Sequence, residues 1–231
     1  MRVLALDSAM TGCNVCVYDE HQGVLVEKHI DISRGQAEHL MPLVNDVMDN
    51  SGLSYNDIDL IGVTHGPGAF TGMRIGISTA KSIAMVLDNP VIGVCCFEAI
   101  LESYLYQNAK TKETAPFYAV ILETKRNDFY FQMFEGGINK KYGDPLAATV
   151  GEIVNLVAGK ECIFIGDGVE RFEKECNIGI EKQNILSPTP SIIAKIALNN
   201  SKSKVIDGDC SPIYLKMPEI GTPKTQPRNL R

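Results

Sequence analysis

The segment His65 to Gly76 holds the residue types and spacing best suited to chemistry: His-Gly-Pro-Gly-Ala-Phe-Thr-Gly-Met-Arg-Ile-Gly. Pro67 and the glycines beside it, including Gly68, predict a tight turn after a buried strand, and Thr71 predicts an N-cap for the following helix. Free amides at such a helix start bind anions such as phosphate. The turn is not a P-loop, because Met73-Arg74 stands where Lys-Ser or Lys-Thr is required, and its glycines do not fit the dinucleotide-binding fingerprint.

Small residues recur every four positions in the predicted helix and form one stripe of nearly bare backbone: Gly72, Gly76, Ala80 and Ala84. A glycine inside a helix costs about 0.5–1 kcal/mol relative to alanine, so the stripe indicates that something approaches this helix closely. A phosphate, a sheet or another helix would each explain it. Close packing is the simpler interpretation, and anion binding at the helix start is the alternative.

Histidines and cysteines give little support for a metal or nucleophile site. The histidines are never four residues apart: His21, His29, His39 and His65. We interpret His65 as a hydrogen-bonded residue at a strand end, with a metal ligand as the alternative. Cys13 and Cys16 form a CxxC, but on an alternating strand pattern that turns the two side chains to opposite faces, and no second pair stands at zinc-ribbon spacing. A Cys-His pair assembled across the fold remains an open alternative.

Composition restricts the class of protein. The 231 residues, 45% apolar and 22% charged, predict a globular chain with a real core, without a signal segment or a membrane span, and therefore a cytoplasmic protein. A formal net charge of −6 disfavours a protein that binds nucleic acid without the help of other proteins. The basic stretch after Lys216 predicts a solvated flexible tail, with a docking arm as the alternative.

A repeated pattern of elements must position these residues. A strand that ends in an acidic residue occurs at Leu4-Ala5-Leu6-Asp7 and again at Val120-Ile121-Leu122-Glu123. In both places a turn and a second strand follow. Periodicity predicts the remaining elements. The predicted strands are 3–6, 13–18, 24–30, 58–63, 90–94, 117–122, 129–134 and 162–165, and the predicted helices are 35–50, 71–87, 97–107, 150–158 and 191–198.

The alternation predicts an α/β protein. By analogy, two such halves with mixed sheets and antiparallel hairpins indicate the duplicated ribonuclease-H-like fold of the actin, hexokinase and Hsp70 type. We expect an N-terminal domain at 1–108, onto which the C-terminal segment packs back, a smaller second domain at 109–216, and a flexible tail at 217–231.

Within that fold class, an acid at the end of the first strand holds metal and phosphates, so Asp7 is the best catalytic candidate by position. The turn after it, Ser8 to Gly12, lacks a glycine-rich hairpin, and a structural turn cap by Asp7 is the favoured interpretation. Gly166-Asp167-Gly168 predicts a tight turn, with a vestigial adenosine loop as the alternative. The candidate vestigial nucleotide-binding set is Asp7, Ser8, Gly68, Gly166 and Gly168.

Three segments carry a resemblance to a known family: Leu4-Ala5-Leu6-Asp7-Ser8-Ala9, the hallmark Gly66-Pro67-Gly68-Ala69-Phe70-Thr71-Gly72-Met73-Arg74-Ile75-Gly76, and Pro212-Ile213-Tyr214-Leu215-Lys216. Together they resemble the TsaB (YeaZ) family of tRNA threonylcarbamoyladenosine biosynthesis proteins, paralogues of TsaD. The loop from Glu123 to Asp128 departs from the family's usual Asp-Ala-Arg.

The resemblance implies a non-catalytic subunit. TsaD carries a metal-binding His-x-x-x-His after the strand that follows the hallmark helix, whereas the corresponding stretch here, Gly93 to Ala99, holds no histidine. The implied partners are a TsaD-like catalytic paralogue, a TsaE-like ATPase in the same complex, and a second copy of the chain when it is alone. Contact with tRNA would come only through the complex, and ATP and Mg would be bound by the partner proteins, with no cofactor of its own.

A partner would meet the two helices at 36–50 and 71–87. The candidate partner-binding residues are Met41, Met48, Gly72, Met73, Gly76 and Ala80, which combine adaptable methionines with the small-residue stripe. The alternative function is an actin-like ATPase or transferase that acts on its own. A metallopeptidase fits worst, because the histidine pair that it needs is missing.

Overall fold

The computed structural model describes residues 1–109, 115–138, 140–203 and 210–216. In these ranges, ten strands form two five-stranded sheets, with six α-helices packed around them. The predicted tail at 217–231 lies outside the described residues. No helix in the described part of the chain is both long and apolar enough to cross a membrane.

The first half supplies the first sheet, whose strand order is β3-β2-β1-β4-β5. Its strands are β1 (Arg2–Asp7), β2 (Cys13–Asp19), β3 (Gly23–Ile30), β4 (Leu60–Gly66) and β5 (Val91–Cys95). Its helices are α1 (Gln36–Ser51), α2 (Phe70–Leu87) and α3 (Cys96–Gln107), with a 3₁₀ turn at Tyr55–Asp57. Strand β1 lies at the centre of this sheet and is buried from Val3 to Asp7.

The second half supplies the second sheet, whose strand order is β10-β9-β6-β7-β8. Its strands are β6 (Phe117–Glu123), β7 (Phe129–Glu135), β8 (Lys141–Ala148), β9 (Cys162–Ile165) and β10 (Glu181–Gln183). Its helices are α4 (Val150–Val157), α5 (Val169–Cys176) and α6 (Pro190–Lys202).

The two sheets are duplicates of one pattern. When β6 to β10 are matched in order with β1 to β5, every strand pair keeps its direction. Each of the first three strands in a half pairs antiparallel with the next, and the fourth pairs parallel with both the first and the fifth. The predicted duplicated ribonuclease-H-like fold is therefore confirmed.

Helices cover both faces of each sheet. Apolar side chains of α1 and α2 pack on one face of the first sheet, and those of α6 pack on the other. In the second half, α4 and α5 cover one face, and α3 from the first half covers the other. Cys13 and Cys16 lie in different clusters, on opposite faces of β2, as predicted.

The packing of α3 and α6 bears on the division into domains. Each of these helices belongs to one half by sequence and buries its apolar face on or beside the other half's sheet. A cut at residue 108 would leave one face of each sheet uncovered. A boundary at residue 108 separates the strands of the two sheets but not the helices that cover them, and the division into domains at 1–108 and 109–216 stays a prediction.

Several local predictions were wrong for physical reasons. Thr71 does not cap α2, because the helix already begins at Phe70 and Ala69 occupies the N-cap position. Strand β8 was missed because Gly143 and Pro145 interrupt its alternation, which an edge strand tolerates. The eight-residue α5 and the three-residue β10 were missed because they are short and largely polar.

Candidate functional site

A cleft of about 530 Å³ lies between the two halves, at the carboxyl ends of β1 and β6. The β1–β2 turn and the start of α2 line it from the first half, and the β6–β7 turn lines it from the second. Tyr214 and Lys216 of the C-terminal segment complete its rim. Of the candidate vestigial nucleotide-binding residues, Gly68 lines this cleft directly.

The chain's own β1–β2 turn packs against the start of α2. The Ala69 N–H donates to the Ala9 carbonyl at 2.7 Å, and the Ser8 hydroxyl donates to the Gly72 carbonyl at 2.8 Å. A Cβ added at Gly72 would overlap the carbonyl oxygen of Ser8, and one added at Gly68 would overlap that of Ala9. The close approach that the glycine stripe predicted is therefore made by this turn.

The Asp7 carboxylate is fully buried and faces into the protein. Its Oδ1 accepts hydrogen bonds from the Ala9 N–H at 3.0 Å and the Thr64 hydroxyl at 2.5 Å, and its Oδ2 accepts one from the Asn14 amide at 2.8 Å. Burial raises the pKa of Asp7 above its usual value despite these hydrogen bonds. Both oxygens are thus used within the chain, an arrangement that fits a turn cap better than a metal ligand.

A polar chain that the sequence analysis missed runs outward from Asp7. The Asn14 Oδ1 lies 2.5 Å from His29 Nδ1, and His29 Nε2 lies 2.6 Å from Asp31 Oδ1. Asp7, Asn14 and His29 occupy matching positions on three neighbouring strands. The register of the predicted hairpins was the signal that could have found this chain, because a short turn after Asp7 pairs it with Asn14.

The Gly166-Asp167-Gly168 turn is packed against β6. The Gly168 N–H donates to the Ile121 carbonyl at 3.1 Å, and Asp167 Oδ1 accepts the Glu123 N–H at 2.9 Å. Burial, and to a lesser degree the charge of Glu123, raises the pKa of Asp167 to about 6. Gly166 has a φ of +124° and an Ile121 carbonyl oxygen 2.2 Å from its Cβ position, so the turn requires glycine there. Gly168 is tightly packed, with atoms of Ile121, Leu122 and Phe129 at 3.0–3.1 Å from its Cβ position.

Charged residues of the β6–β7 turn are paired around the cleft. Arg171 binds both oxygens of Glu123 at 2.8 Å and lies over the Phe129 ring. Burial acts to raise the pKa of Glu123, but the hydrogen bonds from Arg171 and from the Lys125 N–H keep it below its usual value. The loop from Glu123 to Asp128, which departs from the family pattern, is therefore bound to α5 through Arg171.

The C-terminal segment connects the two halves, a role that the sequence did not predict. The Ile213 N–H donates to the His65 carbonyl at 2.8 Å, and Arg74 Nε donates to the Tyr214 hydroxyl at 2.9 Å. Lys216 then reaches the second half, where its Nζ lies 2.7 Å from Asp128 Oδ2. His65 Nδ1 lies 3.0 Å from the Ser211 carbonyl, so this histidine is hydrogen-bonded at a strand end, as predicted.

The stretch from Gly93 to Ala99 crosses from β5 into α3. Cys96 and Phe97 are buried in an apolar cluster that also contains Met10 and Met73. No three His, Cys, Asp or Glu side chains lie close enough to hold a metal ion within the ranges that the structure describes.

The predicted partner-binding residues divide into exposed and buried ones. Met41 on α1 is 37% exposed. The others are buried against the chain's own core: Met48, Gly72, Met73, Gly76 and Ala80. On α2 the most exposed apolar residues are Met85 and Val86, each about 80% exposed, and Phe70 at the helix start is 48% exposed. The small-residue stripe is thus covered by the chain itself, whereas Met85 and Val86 lie on the exposed side of α2.

Comparison with known proteins supports the family resemblance that the hallmark segment carries. The sequence profile of the family described as "TsaD: tRNA N6-adenosine threonylcarbamoyltransferase" matches residues 26–206. The chain belongs to this family. Within it, the chain is 26% identical to the tRNA threonylcarbamoyladenosine biosynthesis protein TsaB of Escherichia coli (strain K12), over 94% of this chain and 95% of that protein. It is 25% identical to TsaB of Haemophilus influenzae, over 94% of both chains.

Solved structures agree with the fold. YeaZ from Pseudomonas aeruginosa is 22% identical and superposes with a TM-score of 0.78, over 93% of this chain and 99% of that one. The predicted resemblance to TsaB (YeaZ) is confirmed, and it extends over nearly the whole chain.

Proposed function

We propose that this chain is a non-catalytic subunit that binds and activates a TsaD-like catalytic paralogue in the biosynthesis of tRNA threonylcarbamoyladenosine. The contact between the β1–β2 turn and α2 carries the proposal: the Ala9 carbonyl accepts the Ala69 N–H, and the carbonyls of Ser8 and Ala9 lie against Gly72 and Gly68. A helix start that is engaged by its own chain is less available to a phosphate. The names of the TsaB relatives support the pathway.

Two further observations support a non-catalytic role. Both carboxylate oxygens of Asp7 accept hydrogen bonds from the chain itself, so a metal bound there would break buried hydrogen bonds. The stretch after β5, where the TsaD paralogue carries metal-binding histidines, here supplies Cys96 and Phe97 to an apolar cluster. Burial raises the pKa of the Cys96 thiol well above its usual value, so this thiol is a poor metal ligand at neutral pH.

The partner surface that we propose is the outward face of α1 and α2. Met41, Met85 and Val86 are exposed there, and flexible methionines suit an adaptable apolar contact. Ser78 and Ser82 are also exposed on α2 and are small enough for another helix to approach closely. In the absence of the paralogue the same face would pair two copies of this chain, and a TsaE-like ATPase and tRNA would join through the complex.

Binding to the purified TsaD-like paralogue, measured by titration calorimetry, tests this surface. We expect Met85→Glu to weaken binding about tenfold or more, because it places a charge in a desolvated apolar contact. Ile178→Glu is the matched control, since Ile178 is 50% exposed on the second half. Equal affinities for the Met85 variant and the unmodified chain would exclude this face.

The alternative is a nucleotide-dependent ATPase or transferase, and the cleft between the halves is the observation in its favour. Its rim carries Arg74, Lys125 and Arg126, which suit an anionic ligand. Tight magnesium-dependent ATP binding by the chain alone, weakened by Asp7→Ala, would favour this function over a partner role.

A further inference from the structure

Positive charge is concentrated at the rim of the cleft between the two halves. Among the described residues that line the cleft, the cations are Arg74, Lys125, Arg126 and Lys216, and the acids are Glu123 and Asp167. The whole chain carries a formal net charge of −6. A local excess of positive charge on an otherwise negative protein directs an anionic partner to this face.

Two of these cations are not neutralised by an ion pair. Arg74 belongs to α2 in the first half and Lys125 to the β6–β7 turn in the second half, and both are exposed. In the part of the chain that the structure describes, neither of them forms an ion pair with a carboxylate. Lys216, by contrast, is paired with Asp128. The cleft therefore presents an unpaired cation on each of its two sides.

Aromatic side chains lie beside one of these cations. The Arg74 guanidinium lies 3.8 Å from the centroid of the Phe70 ring, and its Nε donates to the Tyr214 hydroxyl at 2.9 Å. The two ring centroids lie 5.5 Å apart. Although they contact each other, Phe70 and Tyr214 are each about half exposed. Exposed aromatic rings and arginine are the groups on which unpaired bases of nucleic acids stack.

We propose that this rim contacts an unpaired segment of tRNA within the complex. A base stacks on Phe70 or Tyr214, and phosphates of the same strand lie beside Arg74 and Lys125. Because these two cations come from different halves, they suit the repeated phosphates of a strand better than one compact phosphate group. The start of α2, where a single phosphate would bind, is engaged by the β1–β2 turn. This contact rests on the proposed function, because that function brings tRNA to the complex.

Binding of an unmodified tRNA transcript to the assembled complex of this chain and the TsaD-like paralogue tests the contact. Fluorescence anisotropy at several salt concentrations measures it. We expect Arg74→Gln combined with Lys125→Gln to weaken tRNA binding about tenfold and to make the log–log salt slope shallower by about one to two, because two phosphate contacts are lost.

Lys160→Gln combined with Lys174→Gln is the matched control. It removes the same charge, and neither lysine lines the cleft, so we expect the tRNA affinity of the unmodified complex. Gel filtration establishes first that each variant assembles with the paralogue. Lys125→Gln alone, which lies outside the proposed partner face, replaces the double variant if that variant does not assemble.

An assembled Arg74 and Lys125 variant with the tRNA affinity and salt slope of the unmodified complex would overturn the proposal. The same unchanged tRNA affinity together with weaker ATP binding would assign the rim to a free nucleotide instead. If the paralogue does not bind even the unmodified chain, the proposed function is wrong, and the same titration of the chain alone at low salt decides whether the rim contacts tRNA.

Discussion

At the scale of single residues, the packing of the β1–β2 turn on the start of α2 requires two positions without a side chain. Gly68 and Gly72 let the β1–β2 turn approach the helix so closely that the Ala69 N–H donates to the Ala9 carbonyl and the Ser8 hydroxyl donates to the Gly72 carbonyl. The sequence predicted that something approaches this stripe, but the identity of the approaching group depends on the tertiary fold. A phosphate and a turn of the same chain leave the same four-residue spacing.

Gly72→Ala should destabilise the protein by about 1–3 kcal/mol, because its new methyl group would overlap the carbonyl oxygen of Ser8. Gly151→Ala is the control: Gly151 lies in α4 with no atom within 4 Å of its Cβ position, so alanine should stabilise the protein by about 0.5–1 kcal/mol. Urea unfolding measures both changes. A Gly72 variant as stable as the unmodified chain would contradict the close contact.

Asp167 should make stability depend on pH. Its pKa in the folded state is about 6, against 3.8 for the free group, so the folded protein holds this proton more tightly than the unfolded chain. Its contribution to stability is therefore complete below about pH 4 and is lost as the pH rises through about 6, by roughly 2–3 kcal/mol at most.

Asp167→Asn keeps an oxygen that can accept the Glu123 N–H and removes the titration. We expect the free energy of unfolding of the variant, relative to the unmodified chain, to increase between pH 4 and pH 6. Guanidinium unfolding at fixed ionic strength across this interval measures the difference. A difference that stays constant with pH would show that Asp167 does not titrate there.

At the scale of elements, long periodic segments were predictable and short edge elements were not. The α1 and α2 helices and the central strands carry strong apolar periods, and the structure has them within a few residues of the predicted bounds. By contrast, β8 holds Gly143 and Pro145 and is mostly exposed, so neither alternation nor burial marked it. The segment 210–216 has no regular hydrogen bonding of its own, and its position depends on side-chain contacts such as Lys216 with Asp128.

Lys216→Met should lower the free energy of unfolding by about 1–2 kcal/mol, because Asp128 is mostly buried and would lose a charged partner. Lys28→Met is the control. Its pair with Asp46 is exposed on both sides, and such pairs contribute about 0–1 kcal/mol. Thermal unfolding followed by circular dichroism compares the two variants. An equal effect of both substitutions would mean that the C-terminal segment does not hold the halves together.

At the scale of the whole molecule, the duplication was predictable because both halves repeat strand, acid, turn and strand. The packing of α3 and α6 across the two halves could not be predicted. The sequence shows that each helix has an apolar face, but not which sheet that face packs against. The β1–β2 turn packs on the start of α2, and the Asp7 carboxylate is hydrogen-bonded within the chain. We therefore propose that this chain supports the chemistry of a partner and does not carry it out itself.

The most direct test is transfer of a labelled threonylcarbamoyl group from its adenylate to tRNA. Three reactions are compared: this chain alone, the TsaD-like paralogue alone, and the two together with the TsaE-like ATPase. We predict transfer only when this chain joins the paralogue, and the same yield with Asp7→Asn if that variant folds. Transfer by this chain alone would contradict the account and would return Asp7 and His65 to consideration as catalytic groups.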